Sequence, residues 1–359
     1  MTGPAAPGPA VHVQVPAGDG GLLAVHAHPD DETLATGALL ASWAAAGRPV
    51  AVVTCTRGER GEVIDTPSHP TGLARLEGAG GALAAHRETE LVAALAALGG
   101  GPGVVAHAFL DAVDVPDTRP TGVRPASDTR FEDSGMTWVA PGVAGPADDA
   151  PATAFARVAL DDAAARLAAV LRDRRPAVVA TYEERGGYGH PDHVRAHDVA
   201  VRALALAADP DAPVPGEPWG RAALWRAVTP SAALRSARRE LAAAPAAADL
   251  AARTGLTFPD PDEDLPPLAH HDGELADGVA RAVDVAPVLD RVLGAMRAHA
   301  TQVQHATPAS QEGAGAGLLG WYALSNGVLA PVLAHEHYLV SRPARSGVAA
   351  RRAPVGSPR

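Results

Sequence analysis

Two short polar clusters hold the residues of this chain that are best suited to chemistry. The first is HPDDE at residues 28–32, and the second is YGHPDH at residues 188–193. Histidine nitrogen and carboxylate oxygen are typical donors of catalytic zinc sites, which commonly use three protein ligands and leave a fourth position open. His28, Asp31 and His193 would supply such a set. The two clusters therefore predict one shared metal.

A purely structural interpretation exists for each cluster taken alone. His-Pro-Asp is a common turn, because proline fixes its own φ and the aspartate can cap the helix that follows. Capping needs only one small polar residue, however, and the tripeptide occurs twice, each time between an apolar run and a helical pattern. This repetition favours metal binding over two unrelated caps.

A parallel sheet is predicted to bring the two clusters together. Apolar strand-like runs alternate with helical patterns, the strands at 22–27, 49–56, 104–110 and 176–182 and the helices at 33–46, 84–98, 154–175 and 193–207. Such alternation is typical of βαβ units, so we predict an α/β fold with a Rossmann-like, doubly wound, mainly parallel sheet. Both clusters follow predicted strands, at the carboxyl edge where such sheets bind ligands.

The chain is expected to divide into four parts. Its 359 residues suffice for one large or two modest domains, and the pattern changes after about residue 208. We predict a disordered leader at 1–21 and a Rossmann-like catalytic domain at 22–207. A smaller α+β subdomain that helps to enclose substrate is predicted at 208–340, and a disordered tail at 341–359.

The composition excludes several classes of protein. Acidic residues number 41 against 30 basic ones, for a net charge of −11, and no basic face is evident, which argues against a nucleic-acid binder. Apolar runs are interrupted well before the roughly 20 residues that a membrane span requires. The single cysteine, Cys55, excludes an internal disulfide and fits a cytoplasmic protein. No obligate protein partner is expected.

Together, the two clusters resemble the zinc-dependent deacetylases of the LmbE-like/PIG-L superfamily. The resemblance covers most of residues 22–340 and includes VTCT at 53–56, EDSGM at 132–136, AHATQV at 298–303 and ALSN at 323–326. The branch that fits best comprises the actinobacterial deacetylases of mycothiol biosynthesis, which remove acetate from N-acetylglucosaminyl-inositol. The resemblance thus implies a zinc-dependent N-deacetylase with one Zn²⁺ per chain and a small sugar-inositol substrate. A site of oxygen and nitrogen donors also accepts iron, cobalt, manganese or nickel.

The resemblance also implies a role for individual residues. The implied metal ligands are His28, Asp31 and His193. Asp30 corresponds to the general base, which agrees with the ability of a carboxylate to take a proton from activated water. Tyr188 and His190 correspond to the groups that polarise the amide carbonyl. Asp192 is expected to orient His190 or a ligand histidine through a hydrogen bond.

Sugar recognition is assigned to three further residues by the same resemblance. They are Glu62, Arg87 and Asp133. Simpler interpretations remain for some of these side chains: Arg87 as a solvated charge, Glu62 as part of a surface loop, and Tyr188 as a structural aromatic in a Gly-rich turn. Two histidine pairs, at 270–271 and 335–337, are interpreted as structural and not as a second metal site.

Two other functions remain open at this point. A mycothiol S-conjugate amidase would share every catalytic residue; the RGERGE segment at 57–62 resembles that enzyme as much as the deacetylase, whereas Gly189 and the segment 133–136 favour the deacetylase. A non-catalytic sugar- or nucleotide-binding module is the alternative from a different class. The GxGxxG pattern at 315–320 does not support it, because no apolar strand precedes that pattern.

Overall fold

A computed structural model of the chain describes residues 11–12, 20–115, 130–140, 142–263, 265, 269–270, 279–310 and 317–341. The strands in these residues are β1 (Val11–His12), β2 (Leu22–His26), β3 (Val50–Thr54), β4 (Val105–Phe109), β5 (Met136–Ala140), β6 (Val143–Pro146), β7 (Val178–Tyr182), β8 (Ala223–Pro230), β9 (Ala269–His270), β10 (Val279–Asp284), β11 (Gln304–Pro308), β12 (Leu318–Ala323), β13 (Leu329–Leu333) and β14 (His335–Ser341). The helices are α1 (Asp31–Ala45), α2 (Gly81–Gly99), α3 (Leu160–Arg174), α4 (Gly186–Gly189), α5 (Pro191–Ala208), α6 (Ser231–Ala243), α7 (Pro245–Thr254) and α8 (Leu289–Ala298).

A mixed, mainly parallel sheet forms the centre of the molecule. Its strand order is β1-β10-β14-β8-β7-β2-β3-β4, with β9 paired to β8. The strands β8, β7, β2, β3 and β4 run parallel to their neighbours within this set, and β14 is antiparallel to both β8 and β10. Every residue of β2, β3 and β7 is buried, as expected for strands covered on both faces. The predicted α/β fold is confirmed.

Helices cover both faces of this sheet. On one face, the apolar side chains of α1, α2 and α8 share a core with β2 and β3, including Leu40, Leu91 and Val292. On the other face, α3 and α5 pack against each other and the sheet through small residues such as Ala164 and Ala200. The doubly wound arrangement fixes the carboxyl ends of β2 and β7 side by side, which is where the polar clusters begin.

The segment 208–340 contributes to the same sheet as the segment 22–207. Its strands β8, β14 and β10 extend the parallel strands in one direction, while β11, β12 and β13 form a separate antiparallel sheet. A hairpin of β5 and β6 interrupts the long connection after β4. The predicted leader and tail lie almost entirely outside the described residues. In the part of the chain described here, every helix is too short or too polar to cross a bilayer.

Helix α1 is interrupted one turn after it begins. Thr36 has φ −140°, outside the helical range, so the amides that follow it lack their usual helical acceptors. The carboxylate of Glu336 on β14 takes their place and accepts hydrogen bonds from Ala38 N at 2.6 Å and Leu39 N at 2.9 Å. Tyr338 Oη donates to the same carboxylate at 2.6 Å. A side chain of the C-terminal segment thus stabilises the helix that carries the first polar cluster.

Replacing Glu336 by Ala is expected to lower the free energy of unfolding by at least about 2 kcal/mol. A buried N–H left without an acceptor costs roughly 1–3 kcal/mol, and two such groups lose their partner. Urea denaturation followed by circular dichroism measures the change. The Glu336→Gln variant keeps one acceptor oxygen and should lose less. Equal stability of wild type and Glu336→Ala would contradict the capping role.

Candidate active site

The first cluster lies in the tight turn between β2 and α1. His28 N donates to Asp31 Oδ2 at 2.9 Å, which closes the turn and fixes the Asp31 carboxylate against the His28 backbone. Asp30 has φ 119°, a conformation that residues other than glycine rarely adopt. The chain reverses at this point because Thr33 N and Leu34 N both donate to Asp30 O at 3.0 Å. The carboxylates of Asp30 and Asp31 are consequently carried by a hydrogen-bonded turn at the carboxyl edge of the sheet.

The second cluster lies between β7 and α5. His190 precedes the first residue of α5, and its Nδ1 accepts a hydrogen bond from Asp192 N at 3.1 Å, which caps the helix. Gly189 has φ 92°, and a Cβ atom there would lie 2.9 Å from Ala144 O on β6, so no side chain fits. The capping interpretation assigned this role to the aspartate, whereas the cap is the His190 side chain and the Asp192 carboxylate contacts Ser134 and His28 instead.

The three predicted ligands converge although they come from distant parts of the chain. Asp31 lies between the two imidazoles, with Oδ2 3.2 Å from His28 Nδ1 and Oδ1 3.3 Å from His193 Nε2. The ring of His193 stacks on Tyr182 with centroids 4.2 Å apart, and its Nδ1 lies 3.2 Å from Gly186 O. These contacts leave His193 Nε2 buried with no hydrogen-bond partner in the described residues. That nitrogen points toward Asp31.

Further acidic groups surround the other side of His28. Its Nε2 lies 3.2 Å from Asp192 Oδ2 and 3.7 Å from Asp133 Oδ1. Ser134 holds Asp192 in place, because its N donates to Asp192 Oδ2 at 2.9 Å and its Oγ donates to Asp192 Oδ1. Burial opposes a charge on His28, but Asp133, Asp192 and Asp31 together raise its pKa well above the usual value.

This arrangement fits a divalent metal ion. Donor atoms of His28, His190 and His193 lie within 4.8 Å of one another, as do those of His28, Asp133 and Asp192. The excess of carboxylates favours a positive charge at this place, and His193 Nε2 lies 3.3 Å from Asp31 Oδ1 but makes no hydrogen bond in the described residues. Oxygen and nitrogen donors without thiolate suit zinc and the other first-row divalent ions. The described side chains therefore form a site that can hold such an ion.

Asp30 lies beside this donor set and is held by Arg87. Arg87 Nη2 lies 3.4 Å from Asp30 Oδ1 and also donates to Pro29 O at 2.5 Å, while Nη1 donates to Gly58 O at 2.8 Å. Burial raises the pKa of Asp30 to about 6, and the positive charge of Arg87 limits the increase. A carboxylate of this kind is ionised at neutral pH yet close to the range where it exchanges protons efficiently.

A cavity of about 450 Å³ opens beside Asp31, Tyr188 and His193. The ring centroid of Tyr188 lies 5.1 Å from that of His193, so its side chain borders the donor set. The far walls consist of residues from the segment 208–340, including Leu234 and Val332. Both halves of the chain thus line the space that a substrate would enter.

Most of the residues assigned from the sequence meet at this site. Glu62 is the exception, because its side chain is exposed. Its backbone carbonyl accepts a hydrogen bond from Gln302 Nε2 at 2.8 Å. Ser134 and Tyr182 take part in the site although no role follows for them from the sequence. Ser134 lies within the segment 132–136, which resembles the family, and Tyr182 ends a predicted strand. The sequence therefore places both residues near the site, but it does not predict the contacts that they make there.

Comparisons with known proteins give the family of this chain. The model of the PIG-L family, described as GlcNAc-PI de-N-acetylase, matches residues 23–204, which contain both polar clusters. This chain belongs to the PIG-L family. A PIG-L relative from Kineococcus radiotolerans is 42% identical over 324 residues, covering 88% of this chain and 76% of the relative. It is named 1D-myo-inositol 2-acetamido-2-deoxy-alpha-D-glucopyranoside deacetylase.

Two further proteins are similar to this chain. A protein of the same name from Rhodococcus opacus is 39% identical over 322 residues, covering 89% of this chain and 91% of that relative. A solved structure of a deacetylase in complex with teicoplanin, from the teicoplanin biosynthesis pathway, is 20% identical and covers 91% of this chain and 100% of that chain, with a TM-score of 0.43. The PIG-L assignment therefore rests on the sequence matches.

Proposed function

We propose that this PIG-L protein hydrolyses the acetamide of 1-O-(2-acetamido-2-deoxy-glucopyranosyl)-myo-inositol, giving acetate and free glucosaminyl-inositol for mycothiol biosynthesis. The observation that carries this proposal is the convergence of His28, Asp31 and His193, with Asp30 next in sequence to Asp31, beside a cavity that Asp31 and His193 line. The names of the two relatives supply the substrate. With a single cysteine and a small polar substrate, a cytoplasmic location is part of the proposal.

We assign the metal to His28, Asp31 and His193 and propose one Zn²⁺ per chain. Two neutral imidazoles and one carboxylate form a common catalytic zinc set that leaves a position open. The hydrogen bond between His193 Nδ1 and Gly186 O would fix the ring so that Nε2 serves as the donor. Elemental analysis of protein purified without added metal decides between zinc and iron, cobalt, manganese or nickel.

Asp30 is proposed as the general base and, later, the general acid. A divalent cation held by His28, Asp31 and His193 would lower the pKa of a nearby water molecule and polarise the amide carbonyl. Asp30 accepts the proton that this water loses as its oxygen attacks the carbonyl carbon. The same proton then passes to the amide nitrogen, because the C–N bond breaks readily only after this nitrogen is protonated, so that a neutral amine leaves and not an amide anion.

Tyr188 and His190 are proposed to meet the negative charge that develops on the carbonyl oxygen. Donors placed at that oxygen are worth roughly 2.7–4 kcal/mol each in other acyl-transfer sites. Tyr188 borders the cavity, and burial raises the pKa of its phenol well above the usual value, so it stays a proton donor. Asp192 contacts His28 Nε2 and donates its backbone N–H to His190 Nδ1, so it orients both rings.

Arg87, Asp133 and Glu62 are proposed to bind the sugar hydroxyls. Arg87 Nε is buried without a hydrogen-bond partner in the described residues, which leaves one guanidinium N–H for a substrate oxygen. Asp133 accepts from Gly135 N at 2.8 Å and faces His28. Glu62 follows Gly61, where a Cβ atom would lie 2.8 Å from Arg87 Nη1, so its loop adjoins Arg87.

Parallel assays test the proposed function. We expect acetate release from N-acetylglucosaminyl-inositol with a higher kcat/KM than cleavage of a mycothiol–bimane adduct, and loss of that activity after chelation with recovery on adding Zn²⁺. Higher efficiency on the adduct would assign the chain to the conjugate amidases instead. Ligand binding without turnover, unaffected by chelation, would indicate a non-catalytic binding module.

A further inference from the structure

Glu32 occupies the turn of the first cluster but does not face the donor set. Its carboxylate is fully buried, and Oε2 accepts the backbone N–H of Asp30 at 3.0 Å. Oε1 accepts the Thr33 hydroxyl at 2.6 Å. Both oxygens of Glu32 therefore accept hydrogen bonds from the turn itself. One of these bonds comes from the backbone of Asp30, the residue whose carboxylate is assigned as the general base.

The backbone of Asp30 needs support of this kind. A residue other than glycine with φ 119° is held in a conformation that costs of the order of 1–3 kcal/mol and persists only when the surroundings determine it. In this conformation of the turn, the N–H of Asp30 donates to Glu32 Oε2. Losing that acceptor would allow the peptide to relax and the Asp30 carboxylate to move.

A histidine from the other half of the chain holds Glu32 in turn. His299 Nε2 lies 2.7 Å from Glu32 Oε1, and both side chains have 0% exposure. His299 follows the end of α8, and its carbonyl accepts from Gln302 N at 2.9 Å and Val303 N at 2.8 Å, so its own backbone is fixed. A continuous chain of contacts thus runs from α8 through Glu32 to the backbone of Asp30.

We propose that Glu32 and His299 are positioning residues that hold the Asp30 carboxylate in register with the water and the amide nitrogen. The proposal rests on the proposed hydrolysis, since it concerns the placement of the general base. The side-chain contacts of Glu32 and His299 described above do not include His28, Asp31 or His193. Substituting either residue should therefore affect the placement of Asp30 and not metal binding. Misplacing a catalytic group by about 1 Å can cost 10²-fold in rate.

Variants of His299 test this proposal. We expect His299→Ala to lower kcat roughly 10- to 100-fold with KM within about twofold and metal content unchanged. His299→Gln should restore most of kcat, because its side-chain amide can donate to Glu32 from a similar position. A crystal structure of His299→Ala should show Asp30 with φ displaced from its left-handed value.

Thr301→Val is the matched control. Thr301 Oγ1 donates to Glu90 Oε2 at 2.7 Å, so this variant also loses a buried hydrogen bond in the same loop but none to Glu32. It should lower the Tm while leaving kcat per folded molecule unchanged. Unfolding curves recorded first establish the folded fraction of each variant.

Three outcomes would overturn the positioning role: unchanged kcat in His299→Ala, equal activity of the Gln and Ala variants, or loss of metal in step with kcat. A wild-type protein that releases no acetate would instead overturn the proposed function. The conformation of Asp30 in crystal structures of the wild type and of His299→Ala would still decide whether His299 holds that turn.

Discussion

Asp30→Asn is expected to lower kcat by roughly 10²–10⁴-fold, the usual contribution of a general acid–base group. The amide has nearly the shape of the carboxylate, and the backbone bond from Asp30 N to Glu32 is retained, so the turn should keep its geometry. It cannot, however, accept the proton of the attacking water. Steady-state kinetics with N-acetylglucosaminyl-inositol, together with metal analysis, measure the effect.

Asp161→Asn is a suitable control for this change. Asp161 is an exposed carboxylate on α3 that pairs with Arg202, and the same substitution there removes a negative charge without touching the cavity. Its kcat should equal that of the wild type. If Asp30→Asn retained more than a tenth of wild-type kcat at full metal content, another residue would have to supply the base.

Asp31→Ala is expected to abolish stoichiometric metal binding, whereas His190→Ala is expected to keep it. Asp31 lies against both His28 and His193, at 3.2 and 3.3 Å, and removing it takes away one of three proposed donors. His190 is proposed to act on the carbonyl oxygen, so its loss should reduce kcat and leave the metal in place. Elemental analysis after exhaustive dialysis should give close to no ion per chain for Asp31→Ala and about one ion per chain for His190→Ala.

The opposite result would reassign the ligands. Donor atoms of His28, His190 and His193 lie within 4.8 Å of one another. Retention of metal by Asp31→Ala and its loss from His190→Ala would select this set of three histidines. Thermal unfolding of both variants shows whether any loss of metal follows from loss of structure.

The convergence of the two clusters follows from sequence patterns alone. β2, β3 and β7 are continuous apolar runs, and parallel strands of this kind place their carboxyl ends at one edge. The order of strands beyond β7 does not follow, because β14 comes more than a hundred residues later and joins β8 by antiparallel pairing. Long-range pairing depends on tertiary packing, which local periodicity does not encode.

The contacts within the site were only partly accessible from the sequence. Residue types and spacing predict His28, Asp31 and His193 as ligands, because they lie in two His-Pro-Asp clusters that each follow a predicted strand. They do not reveal the link from His299 to Glu32, because 267 positions separate the two. Glu336 illustrates the same limit: the histidines at 335–337 are interpreted as structural from the sequence, but the capping of α1 by Glu336 does not follow from it.

The pairing of β7 with β8 has a consequence for any attempt to dissect this protein. Five residues of β7 align with Ala223–Ala227, and β7 is buried along its whole length. In a fragment ending at residue 207, β7 would become an exposed, apolar edge strand with unpaired backbone N–H and C=O groups. Such an edge strand can pair with a strand of another molecule. Such a fragment should precipitate or form fibres, and transplanting the metal-binding half into another scaffold would require a replacement for β8.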